Sequence, residues 1–94
     1  MAYQQDATVK LRQLRSKQAI ALAMQGRWRE AVATNKAILE LSLKDVEAYN
    51  RLGKALMEMG EYENAKEAYQ HALELDPYNS IAKKNLDRLS SLIE

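Results

Sequence analysis

The side chains in this sequence best suited to acid–base or metal chemistry are a single histidine and a group of carboxylates. His71 lies four residues after Glu67 and three before Glu74. A general base or metal ligand needs partners that converge from other parts of the chain. The spacing supports something simpler, an i, i+4 pair with Glu67 on a solvated helix face. Glu58, Glu61 and Glu63 span one turn but lack the ligand spacing and glycine hinge of a calcium loop, and read as a solvated acidic patch. The sequence contains no glycine-rich phosphate loop, no HExxH and no serine beside a base. It has no cysteine either, which excludes disulfides, thiolate zinc sites and cysteine nucleophiles. The prediction is a protein without catalytic residues, metal or cofactor, whose function is contact.

The elements that carry these residues are helical by composition. Among 94 residues there are three glycines, one proline and no phenylalanine, set in a background of straight-chain helix formers. One all-α domain spanning residues 1–94 is expected, with burial of only about 60 to 65% of the unfolded surface. Met1 to Lys10 is polar and no stretch approaches the ~18 apolar residues of a membrane span, so a cytoplasmic protein is expected. Net charge is +1, from 14 basic and 13 acidic residues, and no global field recruits nucleic acid. The first 29 residues nevertheless carry six basic side chains against Asp6 alone. On a helical wheel Lys10 pairs with Lys17 and Arg12 with Arg15, on either side of the expected core face. A phosphate-tracking surface would put them on one stripe, so nucleic-acid binding is disfavoured.

A shift of 34 positions superimposes the two halves of the chain without a gap. Leu22 falls on Leu56, Gly26 on Gly60, Trp28 on Tyr62, Ala31 on Ala65 and Leu39 on Leu73. Ala19 falls on Gly53. Gly26 and Gly60 interrupt apolar periodicity where a left-handed residue ends a helix, and Asp45 and Asn79 stand where a side-chain oxygen caps the next one. Helices are predicted at Ala7 to Gln25, Trp28 to Leu41, Val46 to Met59, Tyr62 to Leu75 and Ser80 to Leu92. The apolar stripe Leu11, Leu14, Gln18 and Leu22 is the predicted packing face of the first helix.

Tyr49, Leu52, Gly53, Leu56, Gly60, Tyr62, Ala65, Tyr69, Ala72, Asp76 and Pro77 give the second unit a close resemblance to the tetratricopeptide repeat. The first unit is degenerate, with Arg15, Gln18, Asn35 and Leu43 at signature positions. The resemblance implies an α-α superhelix of antiparallel hairpins with five helices: repeat 1 at about 12–45, repeat 2 at about 46–79 and a capping helix at about 80–92. Small Gly53, Ala65 and Ala72 would sit where paired helices cross, with Tyr49 and Tyr69 filling the space beside them.

In this family the first helix of each hairpin lines a concave surface where ligands commonly lie. Here those helices offer Ile20, Met24, Asn50, Arg51, Lys54, Met57, Ile81, Asn85 and Arg88, an apolar-edged groove with a basic centre. The implied function is a protein-interaction module, adaptor or scaffold, that takes a peptide or helix of a partner. The alternative is a self-assembling structural module, a homo-oligomer or part of a larger protein, because isolated repeats bury their faces poorly. Members that grip acidic chaperone tails use a clamp of lysine, asparagine and arginine. At those positions this chain has Ser16, Ile20, Arg51, Ile81 and Asn85, so that clamp is absent.

Overall fold

The computed structural model describes residues 2–93, with side chains from residue 7 onward. Its helices are α1 (Ala2–Met24), α2 (Trp28–Leu41), α3 (Val46–Glu58), α4 (Tyr62–Leu75) and α5 (Ser80–Ile93), and the described residues contain no strand. Four of them fall within a residue of their predicted bounds. The fifth, α1, begins earlier than the predicted Ala7, because its opening residues carry no apolar periodicity to read but also no glycine or proline to stop a helix.

The turns form as their residue types dictate. Gly26 and Gly60 have φ of 72° and 78°. After α1, Arg27 N–H donates to Leu22 C=O at 2.9 Å and Gly26 N–H to Ala23 C=O at 3.0 Å. After α3, Glu61 donates to Leu56 at 2.9 Å and Gly60 to Met57 at 3.0 Å, the same paired closure one repeat later. Asp45 Oδ1 accepts from Ala48 N–H at 3.0 Å and Asn79 Oδ1 from Ala82 N–H at 3.0 Å, so each cap satisfies an orphan amide of α3 or α5.

Consecutive helices pack in antiparallel pairs, α1 with α2 and α3 with α4, while α2 also packs on α3, α4 on α5, and α1 touches α3. The core runs from Ala19 through Ile38, Leu52 and Tyr69 to Leu89. Gly53 meets Tyr69 so closely that a Cβ at Gly53 would lie 2.7 Å from the ring. Ala65 and Ala72 are fully buried at the same crossing. In the first unit the corresponding pair is Ala19 and Asn35, so where the ring gives way to an amide, glycine gives way to alanine.

One prediction fails here. The face of α1 that packs inward is not Leu11, Leu14, Gln18 and Leu22: Leu11 is 39% and Leu14 53% exposed, Gln18 is exposed, and Leu22 alone is half-buried. The inward face is Arg12, Ser16, Ala19 and Ala23, with Ala19 fully buried. Small side chains let α2 approach closely, and a close approach buries more than a leucine stripe without a partner. Arg12 consequently does not flank the core with Arg15; it lies over the inward face with its Nε 4.0 Å from Asp45 Oδ2.

Candidate functional site

Three helices of the inner layer, α1, α3 and α5, bring side chains to a cleft of about 250 Å3. Asn50, Arg51 and Lys54 come from α3, Ile81 and Asn85 from α5, and Ala23 from α1. These include five of the predicted groove residues. The others do not line the cleft: Ile20 is 46% and Met24 84% exposed on α1, Met57 packs against the core, and Arg88 is exposed, with its charge felt at Tyr69.

Two lining residues that the sequence reading missed come from the outer layer, Asn35 of α2 and Tyr69 of α4. They occupy the same repeat position, and both reach through the layer from below. The signal for Asn35 was present in the sequence as a polar residue where the repeat calls for an aromatic one. Asn35 is 1% exposed and fully used. Its Nδ2 donates to Ala31 C=O at 2.9 Å, and its Oδ1 accepts from Arg51 Nε at 3.0 Å. Arg51 Nη2 also donates to Ser16 Oγ at 3.3 Å. The guanidinium is therefore held at two points by neutral acceptors, and none of the ion pairs among the described residues includes it. Lys54, in contrast, pairs with Glu58 at 2.8 Å, so Arg51 carries the charge of the cleft.

Two of the lining residues each carry a polar atom buried without a protein partner, Asn50 Oδ1 and Tyr69 Oη. The Asn50 amide is oriented by its other end, because Nδ2 donates at 3.0 Å to the Asn79 oxygen that already caps α5. Its Oδ1 is left as a free acceptor. Burial of Tyr69 pushes its phenol from 10.0 up to about 12; Arg88 works against this shift and Glu58 adds to it. The hydroxyl therefore stays protonated and can both donate and accept. Unsatisfied buried groups cost about 1 to 3 kcal/mol each; both atoms lie out of reach of solvent, so the accessible polar chemistry of the cleft is that of Arg51 and Lys54.

Two larger depressions lack such atoms. One, near Arg12, Lys44 and Asp45, is lined by charges of both signs. The other lies on the outer layer beside Val32, Leu56 and His71. There His71 departs from its predicted pairing with Glu67: its Nδ1 lies 3.1 Å from Glu74 Oε1, and its ring stacks on Tyr49 with centroids 5.1 Å apart. Glu61 accepts from Asn64 at 2.9 Å and Glu58 from Lys54 at 2.8 Å, so two members of the acidic group Glu58, Glu61 and Glu63 are engaged in local pairing. No cluster of metal-binding side chains occurs among the described residues, and no helix there is long and apolar enough to cross a membrane.

Paired antiparallel helices, repeated glycine closures and a cleft on the inner layer together define a helical-repeat interaction domain. Residues 46–79 match the tetratricopeptide repeat family profile, and the chain belongs to that family. It is 39% identical over 71 residues to the small glutamine-rich tetratricopeptide repeat-containing protein 2 of Mycosarcoma maydis, covering 76% of this chain and 20% of the relative. Over 41 residues it is 46% identical to heat shock protein STI1 of Saccharomyces cerevisiae, covering 44% of this chain and 7% of that protein. The chain thus spans only a small part of the relatives it matches. Among solved structures it resembles the first TPR of Spaghetti (RPAP3) bound to the HSP90 peptide SRMEEVD, with a TM-score of 0.85 and 27% identity over 87% of this chain and 65% of that one. The Arabidopsis OM64 TPR domain shares the fold, with a TM-score of 0.78 and 24% identity over 96% of this chain and 86% of that one. The chain is a module of tetratricopeptide type, a fold that supports protein interaction.

Proposed function

We propose that the module works as an adaptor whose inner cleft takes an extended segment of another protein. The observation that carries this reading is the Arg51 guanidinium, held by Asn35 and Ser16 without a carboxylate partner in a cleft lined from three inner-layer helices. A cation held in this way matches a carboxylate or carbonyl of a peptide. Ile81 at the rim offers an apolar contact. The peptide-bound state of the Spaghetti neighbour supports a peptide as the ligand class.

The ligand differs from an acidic chaperone tail. With Ser16, Ile20, Ile81 and Asn85 at clamp positions, and Arg51 tied to Ser16, one cation replaces a distributed clamp. Asn85 is also committed, since its Nδ2 donates to Ile81 C=O at 2.9 Å. A single acidic or carbonyl-rich anchor suits this arrangement better than consecutive carboxylates.

Peptides selected from a displayed random library on the wild-type protein test the proposal by fluorescence anisotropy. Arg51→Glu with Lys54→Glu is expected to weaken them about tenfold or more, the equivalent of one lost charged hydrogen bond, with far-UV circular dichroism unchanged. Equal affinity for wild type and variant would exclude the cleft as the site.

A further inference from the structure

The repeat register accounts for the cleft. A shift of 34 residues carries Arg51 onto Asn85, Ser16 onto Asn50 and Asn35 onto Tyr69. In the first register the long side chain of Arg51 reaches back from α3 to Ser16 Oγ on α1 and Asn35 Oδ1 on α2. One register later the same reach, from α5 back to α3 and α4, starts from an asparagine. The Asn85 amide donates within its own helix instead, to Ile81 C=O at 2.9 Å. Asn50 and Tyr69, the counterparts of the two acceptors, are the residues left with a buried polar atom that has no partner among the described residues. The second register thus stops short where the first is filled by an arginine, and Asn50, Tyr69 and Asn85 all line the cleft of about 250 Å3.

The wall selects what enters. Ile81 is 56% exposed and Ala23 half-buried, while Asn50 Oδ1 and Tyr69 Oη are sealed from solvent. The surface within reach is almost wholly carbon. A polar side chain entering here would shed water without gaining a partner, whereas an apolar one loses nothing. The volume suits one side chain and is too small for a helix. Arg51 lines the same cleft and has no carboxylate partner, so it sets the charge of the residue next to the one that enters. We infer that Asn85 determines the specificity of the cleft: by stopping short, it admits one apolar side chain of the partner segment, carried next to an acidic residue that Arg51 holds. The inference rests on the cleft being the peptide site and adds what that site selects.

The probe is a capped synthetic hexapeptide, Gly-Ser-Leu-Glu-Ser-Gly, titrated into the isotope-labelled protein and followed by heteronuclear NMR. Saturable shifts at Asn85 and Ile81 are expected. Replacing the leucine of the probe by serine should weaken binding about tenfold, the loss of one buried apolar side chain, and replacing its glutamate by glutamine should weaken it several-fold. Asn85→Arg adds a positive charge, which by itself would tighten an acidic ligand. Because the new side chain fills the cleft, it should instead weaken the probe about tenfold or more. Asn85→Leu fills the same room without charge and should act in the same direction. Asn85 is half-buried, so thermal melts accompany both variants, and Asn85→Leu carries the test if arginine costs the fold. No saturable shift, indifference to the loss of leucine, or equal or tighter binding by a folded filled variant overturns the inference. If Arg51→Glu with Lys54→Glu still releases the library-selected peptides in that case, the cleft stands as their site and only the role of Asn85 falls; if it does not, the cleft reading falls as well.

Discussion

Gly53→Ala is the substitution whose sign the structure decides against helix propensity. In an exposed helix interior, alanine in place of glycine stabilises by about 1 kcal/mol. Here the new methyl would lie 2.7 Å from Tyr69 Cε2 and Cζ and 2.9 Å from Cδ2, roughly 1 Å inside the ~3.5 to 4.0 Å of a normal carbon contact. The ring is fully buried and cannot swing into solvent. Relief requires moving the ring or spreading α3 from α4, an overpacking cost of ~1 to 3 kcal/mol. The net expectation is a destabilisation of up to about 2 kcal/mol, read from urea unfolding followed by circular dichroism. Removing the ring should reverse the sign: in a Tyr69→Leu background, Gly53→Ala should stabilise by about 1 kcal/mol. At the equivalent position of the first unit, Ala19→Gly should cost about 1 kcal/mol, because Asn35 replaces the ring there. A wild-type background in which Gly53→Ala raises stability refutes the argument that ring contact dictates glycine.

Tyr69 also sets a pH dependence. Its pKa is raised in the fold to about 12 from 10.0, so its contribution is fully present below pH 10 and is lost as pH rises through 12. Tyr69→Phe, which deletes the unpartnered hydroxyl, should be at least as stable as wild type at pH 8 and should flatten the fall in stability above pH 10; an unchanged alkaline slope counts against the burial argument. Asn35→Ala removes the acceptor of Arg51 Nε and should weaken library-selected peptides several-fold, with calorimetry showing a loss of about 1 to 2 kcal/mol in stability. If affinity holds while stability falls, Asn35 serves the fold alone.

The repeat, the two glycine closures and the caps at Asp45 and Asn79 were legible in the sequence because each is a local property. A left-handed residue or a capping oxygen acts within a few positions of itself, and the match of Gly53 with Tyr69 follows from repeat register. The centre of the cleft was legible in part. Asn50, Arg51, Lys54, Ile81 and Asn85 follow from knowing which side of α3 and α5 faces inward. Their partners do not follow. Arg51 is held by residues 16 and 35 positions earlier, and neither the vacant Asn50 oxygen nor the Tyr69 hydroxyl can be seen without knowing every neighbour of a buried atom.

The fate of α1 shows the same division. Its sequence contains an apolar stripe at Leu11 and Leu14 and a small-residue stripe at Ala19 and Ala23, and by hydrophobicity alone the leucines belong inside. Tertiary structure chose the alanines, because burial depends on which helix arrives and how near it comes, and α2 comes nearest over small side chains. Sequence by itself determined the helices, their ends and the repeat that relates them. Only packing decided which face of each helix was used, which polar atoms were left unpaired, and which leucines stayed exposed.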